Sequence, residues 1–247
     1  MKVSIITVCY NSGRTIADTI ASVASQTYDD IEYIVIDGMS SDNTNAIIEM
    51  NRDVISTYVS EKDSGLYDAM NKGIKLSTGD VIGILNSDDV FFDKDVIKNV
   101  VSELQNVDCV YADVGFYKEN DLSSKVRHFS SKSFTKEKFS RGMMPAHPST
   151  YVRRECYEKV HPYNVNYKIA SDFDMLLRLF NLPGFTYKYV NREVVKMRLG
   201  GVSTGGLKSN YLLNKELIDS CRKNGLKTGW LKVLSKYPEK IMGLIFK

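Results

Sequence analysis

Long hydrophobic runs are absent from this chain: no stretch of its 247 residues holds the roughly 20 consecutive apolar positions that a membrane-crossing helix needs. The amino terminus, Met1-Lys2-Val3-Ser4-Ile5-Ile6-Thr7-Val8, is broken by polar residues too early for a secretory leader, so a cytoplasmic protein is expected. Cysteine is sparse as well. Cys9, Cys109, Cys156 and Cys221 are far apart and form no C-x-x-C pair, which argues against a zinc site or a disulfide framework and suits a reducing compartment. Of the three histidines, His128 and His161 have no company that suggests a metal site. There is no internal repeat and no low-complexity tract. Neither glycine-rich phosphate loop is present, since G-x-G-x-x-G does not follow the first apolar run and the P-loop pattern is missing; NAD and P-loop chemistry are thereby disfavoured. Net charge is only +3, and no nucleic-acid partner is expected.

What is there alternates. The 43% apolar and 26% charged fractions are ordinary for a globular protein, and the length suits one α/β domain with appendages or two small domains. Residues 3–8 read as a buried strand closed by Tyr10-Asn11-Ser12-Gly13, and Ile16, Ile20, Val23 and Ala24 follow at helical spacing. A second strand is expected at 31–36, closed by Asp37-Gly38-Met39-Ser40, and a helix through Ala46, Ile47 and Met50. A third strand at 54–59 ends in Ser60-Glu61-Lys62-Asp63-Ser64-Gly65; Leu66, Ala69, Met70, Ile74 and Leu76 then predict a helix that Gly79 stops. Strands and helices alternating at this short spacing predict an α/β fold with a Rossmann-like, mostly parallel central sheet flanked by helices.

The fourth strand carries the most chemistry. In Asp80-Val81-Ile82-Gly83-Ile84-Leu85-Asn86-Ser87-Asp88-Asp89 an apolar run switches abruptly to polar residues. Ligands of open α/β sheets sit outside the carboxyl ends of the strands, and two adjacent carboxylates there repel unless something compensates them. Oxygen ligands of this kind suit Mg²⁺ or Mn²⁺ bridging to phosphates. The plainer alternative is a solvated turn in which Asp88 or Asp89 caps the next helix. Polar residues close four successive strands, however: Tyr10 with Asn11, Asp37, Glu61 with Asp63, and Asp88 with Asp89. Four such ends in succession favour a binding crevice over four separate turns.

Several segments, in their order and spacing, resemble the nucleotide-sugar half of family 2 glycosyltransferases, which have the GT-A fold. They are Ile6-Thr7-Val8-Cys9-Tyr10-Asn11, Ile36-Asp37-Gly38-Met39-Ser40-Ser41-Asp42-Asn43-Thr44, Asn71-Lys72-Gly73-Ile74 with Thr78-Gly79-Asp80, and Leu85-Asn86-Ser87-Asp88-Asp89. The run from Ser60 through Gly73 resembles a bacterial subgroup that builds surface polysaccharides. The resemblance implies that Tyr10 and Asp37 hold the uracil of a UDP-sugar, by stacking and by a hydrogen bond to N3–H. It implies that Asp88 binds Mn²⁺ or Mg²⁺ on the diphosphate, with Asp89 beside it. On the same segments Thr7, Asn11, Asp63, Asp68, Lys72, Asn86 and Ser87 would complete the donor site. The family motif is often Asp-x-Asp, whereas Asn86 stands first here and brings no charge.

The second half is expected to open near Val90 with a helix at 95–104 and strands at 109–117 and 126–129. Arg141-Gly142-Met143-Met144-Pro145-Ala146-His147-Pro148-Ser149 makes a turn-rich link in which His147 is either an acceptor-binding residue or a structural histidine. In Ile169-Ala170-Ser171-Asp172-Phe173-Asp174, Ser171 with Asp174 has the spacing of a capping box, and both Asp residues could simply complement the helix dipole. The resemblance assigns Asp172 as the general base, with Ser171 in place of the usual Glu. Short strands are expected at 185–190 and 194–197, then a glycine-rich segment at 198–206 suited to a lid over the donor or to a linker.

Three regions follow: 1–90 for the donor, 91–206 for the acceptor and catalysis, and 207–247 as a basic amphipathic helical tail. The expected activity is an inverting, metal-dependent transfer from a UDP-sugar to a glycan or polyprenyl-linked acceptor. The alternatives are a sugar-1-phosphate nucleotidyltransferase, whose Arg-containing glycine loop Tyr10-Asn11-Ser12-Gly13-Arg14 matches poorly, and a non-catalytic nucleotide-sugar-binding protein. The tail holds nine Lys or Arg against three Asp or Glu. Trp230, Leu231, Leu234, Tyr237, Ile241, Leu244, Ile245 and Phe246 interleave there with Lys227, Lys232, Lys236, Lys240 and Lys247, a pattern for an anionic membrane surface. Packing on the catalytic domain, or on a second copy as a homodimer, is the rival.

Overall fold

A computed structural model describes residues 1–200 and 206–237. The first half is the expected alternation: β1 (Val3–Cys9), α1 (Ile16–Ala24), β2 (Ile31–Asp37), α2 (Thr44–Met50), β3 (Thr57–Ser60), α3 (Leu66–Leu76) and β4 (Val81–Ile84). β1 lies between β2 and β4, and β3 flanks β2, all parallel. β1 is buried along its whole length, Ser4 and Thr7 included, as a strand must be when both faces of a parallel sheet are covered.

Beyond β4 the chain forms β5 (Val90–Phe91), α4 (Val96–Glu103), β6 (Cys109–Lys118), β7 (Asp121–Phe129), β8 (Thr150–Arg153), α5 (Arg154–Glu158), α6 (Ser171–Phe180) and β9 (Tyr187–Arg198). The sheet runs β3-β2-β1-β4-β8-β6-β9-β5, with β7 paired to β6. Its parallel character belongs to the first four strands and to β6 with β9; β8, β7 and β5 join antiparallel, so the whole is a mixed sheet. The two short strands expected at 185–190 and 194–197 are one strand, β9, whose pairing with β6 absorbs register shifts around Asp113. The hairpin also gives His128 the company that local sequence hides: its ring nitrogens lie 3.1 Å from Asp113 Oδ2 and 3.1 Å from Glu193 Oε2.

Two apolar layers cover the sheet. On one side Ile16, Ile20 and Val23 of α1, Ile48 of α2 and Val96, Ile97 and Val100 of α4 pack on β1, β2 and β4. On the other, Ala69 and Met70 of α3 and Phe173, Leu176, Leu177 and Phe180 of α6 form a second cluster, which also takes residues from the last helices. Those are α7 (Gly206–Lys223) and α8 (Trp230–Leu234). Leu217, Ile218, Cys221 and Val233 enter this core, and Thr228 Oγ1 donates to Ser140 O (2.6 Å). Lys236, expected on a membrane-facing side, is instead buried and donates to Asn214 Oδ1 (2.9 Å). Trp230, Leu231 and Leu234 remain exposed, with Trp230 stacked on Tyr211 at 5.4 Å. Ile241, Leu244, Ile245, Phe246, Lys240 and Lys247, and the lid expected around Gly201–Gly205, lie outside the described residues.

Gly83, in the middle of β4, is a packing glycine. A Cβ there would lie 2.5 Å from the Tyr151 ring and 3.3 Å from Ile5 Cδ1. Gly83→Ala is therefore expected to destabilise the fold by about 1–3 kcal/mol through overpacking, read as a lower denaturant midpoint with an unchanged slope. An unchanged midpoint would show that Tyr151 moves aside freely.

Candidate active site

The carboxyl ends of β1, β2 and β3 stand level, because Cys9 pairs with Asp37 and Asp37 with Ser60; β4 ends beside them. The loops after β1 and β2 are stitched together. Asn11 N–H donates to Ser40 Oγ (2.7 Å), Ser41 N–H to Asn11 Oδ1 (2.9 Å), Ser12 N–H to Thr44 Oγ1 (2.7 Å) and Gly13 N–H to Asp42 Oδ2 (3.0 Å). Asn11 takes a left-handed φ of 50°, which Asn tolerates through its short polar side chain. Gly13 has no room for a side chain, since a Cβ would meet Asn43 Oδ1 at 1.7 Å. Tyr10 is left 65% exposed, an aromatic face available for stacking.

Asp37 has a different setting from the one a base-binding carboxylate needs. It is 0% exposed, and both oxygens are occupied: Oδ1 by Ser40 Oγ (2.5 Å), Oδ2 by Ser40 N–H (3.0 Å) and Ser60 Oγ (2.6 Å). As it stands Asp37 shapes the loop between β2 and α2, and a uracil could reach it only after Ser40 moves. Thr7 is not at the crevice at all. Its hydroxyl is buried inside the sheet, accepting from Tyr33 OH (3.1 Å), because position 7 lies two residues short of the strand end. Asp63 does reach the crevice, close against Gly38, where a Cβ would lie 2.6 Å from its Oδ2. Asp68 and Lys72 brace the 61–65 loop, and both also line a cavity shared with Asn71, Tyr157 and Met175. Asp68 Oδ2 accepts Ser64 N–H (2.9 Å); Lys72 Nζ donates to Lys62 O (3.1 Å) and pairs with Glu61 (2.9 Å), a bond that raises the pKa of its ammonium group.

At the end of β4 the two carboxylates part company. Asp88 is half-buried, and burial raises its pKa against the opposing charge of Arg198. Asp89 is 2% exposed. Burial and then the charge of Asp88 raise its pKa further, although Asn86 donates to it (3.2 Å) and Arg198 opposes the rise. Asp89 is thus a supporting residue, and Asp88 is the carboxylate available to a cation. Asn86 Oδ1 is buried without a hydrogen-bond partner, while Ser87 Oγ lies 2.8 Å from Ser12 Oγ. Among the described residues no group of three His, Cys, Asp or Glu is arranged to hold a metal ion by itself. An oxygen-only set of one carboxylate fits Mg²⁺ or Mn²⁺ completed by phosphate oxygens, and does not fit an all-protein cage. Arg198, which closes the site from β9 through Glu119 O (2.7 Å) and Asp18, carried no local signal, because its neighbours belong to other elements.

Asp172 lies in the first turn of α6. Burial pushes its carboxyl up to about 6, against a bond from Phe173 N–H (2.7 Å) and with the help of Glu216. The expected capping box does not form: Ser171 Oγ is buried without a partner and α6 has no side-chain cap. Asp174 turns instead to Arg178 (2.9 Å) and Ser220 (2.7 Å), since α7 covers that side. Tyr67 ties the segment before Asp172 to α3. It stands in the first turn of α3, just past the 61–65 loop, and its hydroxyl donates to Ile169 O (2.6 Å). Its ring stacks on Tyr163 at 5.9 Å. His147 does not present itself to an acceptor. It is buried, its Nε2 lies 2.7 Å from Tyr163 OH, and burial pushes its pKa down to about 4, so it is a neutral support beneath that tyrosine.

Residues 4–160 match the model of glycosyl transferase family 2. A PGL/p-HBAD biosynthesis glycosyltransferase of Mycobacterium bovis is 28% identical over 221 residues, covering 87% of this chain and 82% of that protein. The chondroitin synthase of Escherichia coli is 27% identical over 209 residues, 82% of this chain but 29% of that one. Among solved structures, S. aureus TarS 1-349 in complex with UDP-GlcNAc superposes with a TM-score of 0.72 at 17% identity, covering 92% of this chain and 68% of that one. Glucosyl-3-phosphoglycerate synthase from Mycobacterium tuberculosis, in complex with Mn²⁺, UDP and phosphoglyceric acid, gives 0.63 at 16% identity, over 92% and 80%. The strand-end crevice, the carboxylates of β4 and the match over most of the sheet agree: the chain belongs to glycosyl transferase family 2 and has the GT-A fold.

Proposed function

We propose that this glycosyltransferase inverts the anomeric centre of a UDP-sugar as it transfers the sugar to a glycan or lipid-linked acceptor in bacterial surface-glycan assembly. The observation that supports the reading is the Tyr67–Ile169 bond, which ties the segment leading into Asp172, a carboxylate that burial raises to about 6, to the helix that follows the 61–65 loop. Tyr10 offers the stacking face for uracil. Asp88, with Asn86 beside it, would hold Mn²⁺ or Mg²⁺ against the diphosphate, and such an ion offsets the charge that develops on the leaving UDP. Asp172 accepts the proton of the acceptor hydroxyl as the oxygen attacks the anomeric carbon opposite the leaving group. One in-line displacement inverts the configuration and needs no enzyme nucleophile. The UDP and UDP-GlcNAc complexes of the structural neighbours and the surface-glycolipid name of the mycobacterial relative support this donor and acceptor class.

The described residues contain no helix long and apolar enough to cross a membrane. The acceptor's lipid anchor would be met instead by the exposed side of α8, where Trp230, Leu231 (90% exposed) and Leu234 stand with Tyr211, near Lys227 and Lys232. Each basic residue at an anionic surface contributes about 1 kcal/mol.

Asp88→Ala is expected to lose Mn²⁺-dependent UDP binding, measured calorimetrically, while its melting temperature without ligand holds; full activity in EDTA would contradict metal dependence. Asp172→Asn removes the base, so UDP release from the productive UDP-sugar falls by ~10²–10⁴-fold with UDP affinity retained. The sign of the pH dependence follows from the raised pKa: Asp172 is a base only when ionised, so the wild-type rate falls as pH drops through about 6. The same burial disfavours a charge in the native state, so the Asn variant should be at least as stable as wild type at pH 8. Turnover by Asp172→Asn within a few-fold of wild type would move the base elsewhere. For the membrane face, Leu231→Glu is expected to weaken sedimentation with phosphatidylglycerol vesicles by roughly tenfold, and added salt to release the wild-type protein. Binding indifferent to both would exclude α8.

A further inference from the structure

Glu216 lies on α7, 7% exposed, and its oxygens accept three successive backbone N–H groups, from Lys168 (2.9 Å), Ile169 (3.0 Å) and Ala170 (3.0 Å). A helix cap satisfies one or two such donors. Three in a row on one charged acceptor fix the path of the chain that runs directly into Asp172. The same stripe of α7 continues onto α6 at four-residue spacing: Ser220 Oγ and Asn224 Nδ2 both donate to Asp174 Oδ1 (2.7 and 3.3 Å). The adjacent Asp219 accepts from Tyr167 OH (2.6 Å). Helix α7 therefore grips the chain on both sides of Asp172, at 167–170 and at 174, while Ser171 Oγ has no partner. All of this lies beyond residue 160, where the family match ends.

We propose that Glu216 is a positioning residue of the transfer reaction: resting on Asp172 as the base, its carboxylate fixes segment 168–170 and so sets where Asp172 stands and what charge it meets. The groups facing Asp172 are Tyr67 from α3, Tyr163 from the preceding loop, with His147 one bond further away, and Glu216 from α7. Glu216 is the anion among them, and its charge adds to burial in keeping the proton on Asp172.

The decisive variant is Glu216→Gln in the full chain. Gln keeps the shape but offers one oxygen and turns an NH₂ toward an N–H donor. Two readouts on the free protein need neither donor nor acceptor: ¹³C titration of the Asp172 carboxyl and amide hydrogen exchange at 168–170. The Asp172 midpoint is expected to fall below that of wild type, and these amides to exchange roughly tenfold faster or more. With a UDP-sugar that the wild type turns over, kcat should drop by roughly 10²-fold at little change in donor KM, and the acid limb of the rate should move down with the midpoint. Tyr167→Phe, which removes only the bond to Asp219, should leave the Asp172 midpoint where it is. Glu216→Asp keeps the charge and should keep the midpoint while losing part of the rate; if Glu216→Gln does not fold, this variant decides, and wild-type exchange and rate in it would overturn the proposal. Unchanged midpoint and protection in Glu216→Gln, or an equal shift in Tyr167→Phe, would overturn it too. Activity surviving in Asp172→Asn would instead remove the base and leave the titration and exchange results standing.

Discussion

A carboxylate taken out of water must be compensated, and this one constraint sorts the acidic residues of the site. Asp37, Asp174 and Glu216 are buried, and their oxygens are bonded to hydroxyls, amide groups or a guanidinium. They are scaffold: each fixes a loop or a helix end, because a buried charge is tolerated only where donors surround it. Asp88 and Asp172 are also withdrawn from water, but fewer donors face them, and burial raises the pKa of both. Carboxylates left short of partners are those that a cation or a substrate proton can satisfy.

The fold meets this constraint by dividing the work. The parallel half brings four strand ends to one edge, and hydrogen bonds brace the loops after β1 and β2 against each other. The mixed half carries Asp172, the proposed base, and holds it through contacts far apart in sequence. Tyr67 and Asn71 of α3 hold Ile169 and Tyr163, while α7 holds the same segment from outside. The last helices thus pack into the same core as α3 and α6, and one side of α8 stays exposed.

Sequence alone revealed what is written locally. The apolar runs of β1, β2 and β4 and the polar residues that close them place the crevice, and the order of the matched segments identifies the family. It misplaced what depends on packing. Thr7 has the polarity of a binding residue, but strand register turns it toward Tyr33. Asp37 has the position of a base-binding carboxylate, but Ser40 and Ser60 reach it first. His147 lies in a polar stretch and is buried by Tyr163 all the same. Ser171 and Asp174 have capping spacing, yet α7 offers Asp174 better partners. Arg198 and Glu216 gave no signal because their roles exist only when β9 pairs with β5, just past Asp88 and Asp89, and when α7 crosses the entry to α6.

The proposed transfer is a single displacement at the anomeric carbon, with Asp172 taking the proton and no covalent sugar–enzyme intermediate. Product stereochemistry tests it most directly. With a UDP-α-sugar that the enzyme turns over, the ¹H NMR spectrum of the first-formed product should show the β anomeric proton, with its large coupling for a gluco-configured sugar. An α-linked first product would mean retention, and would contradict the account.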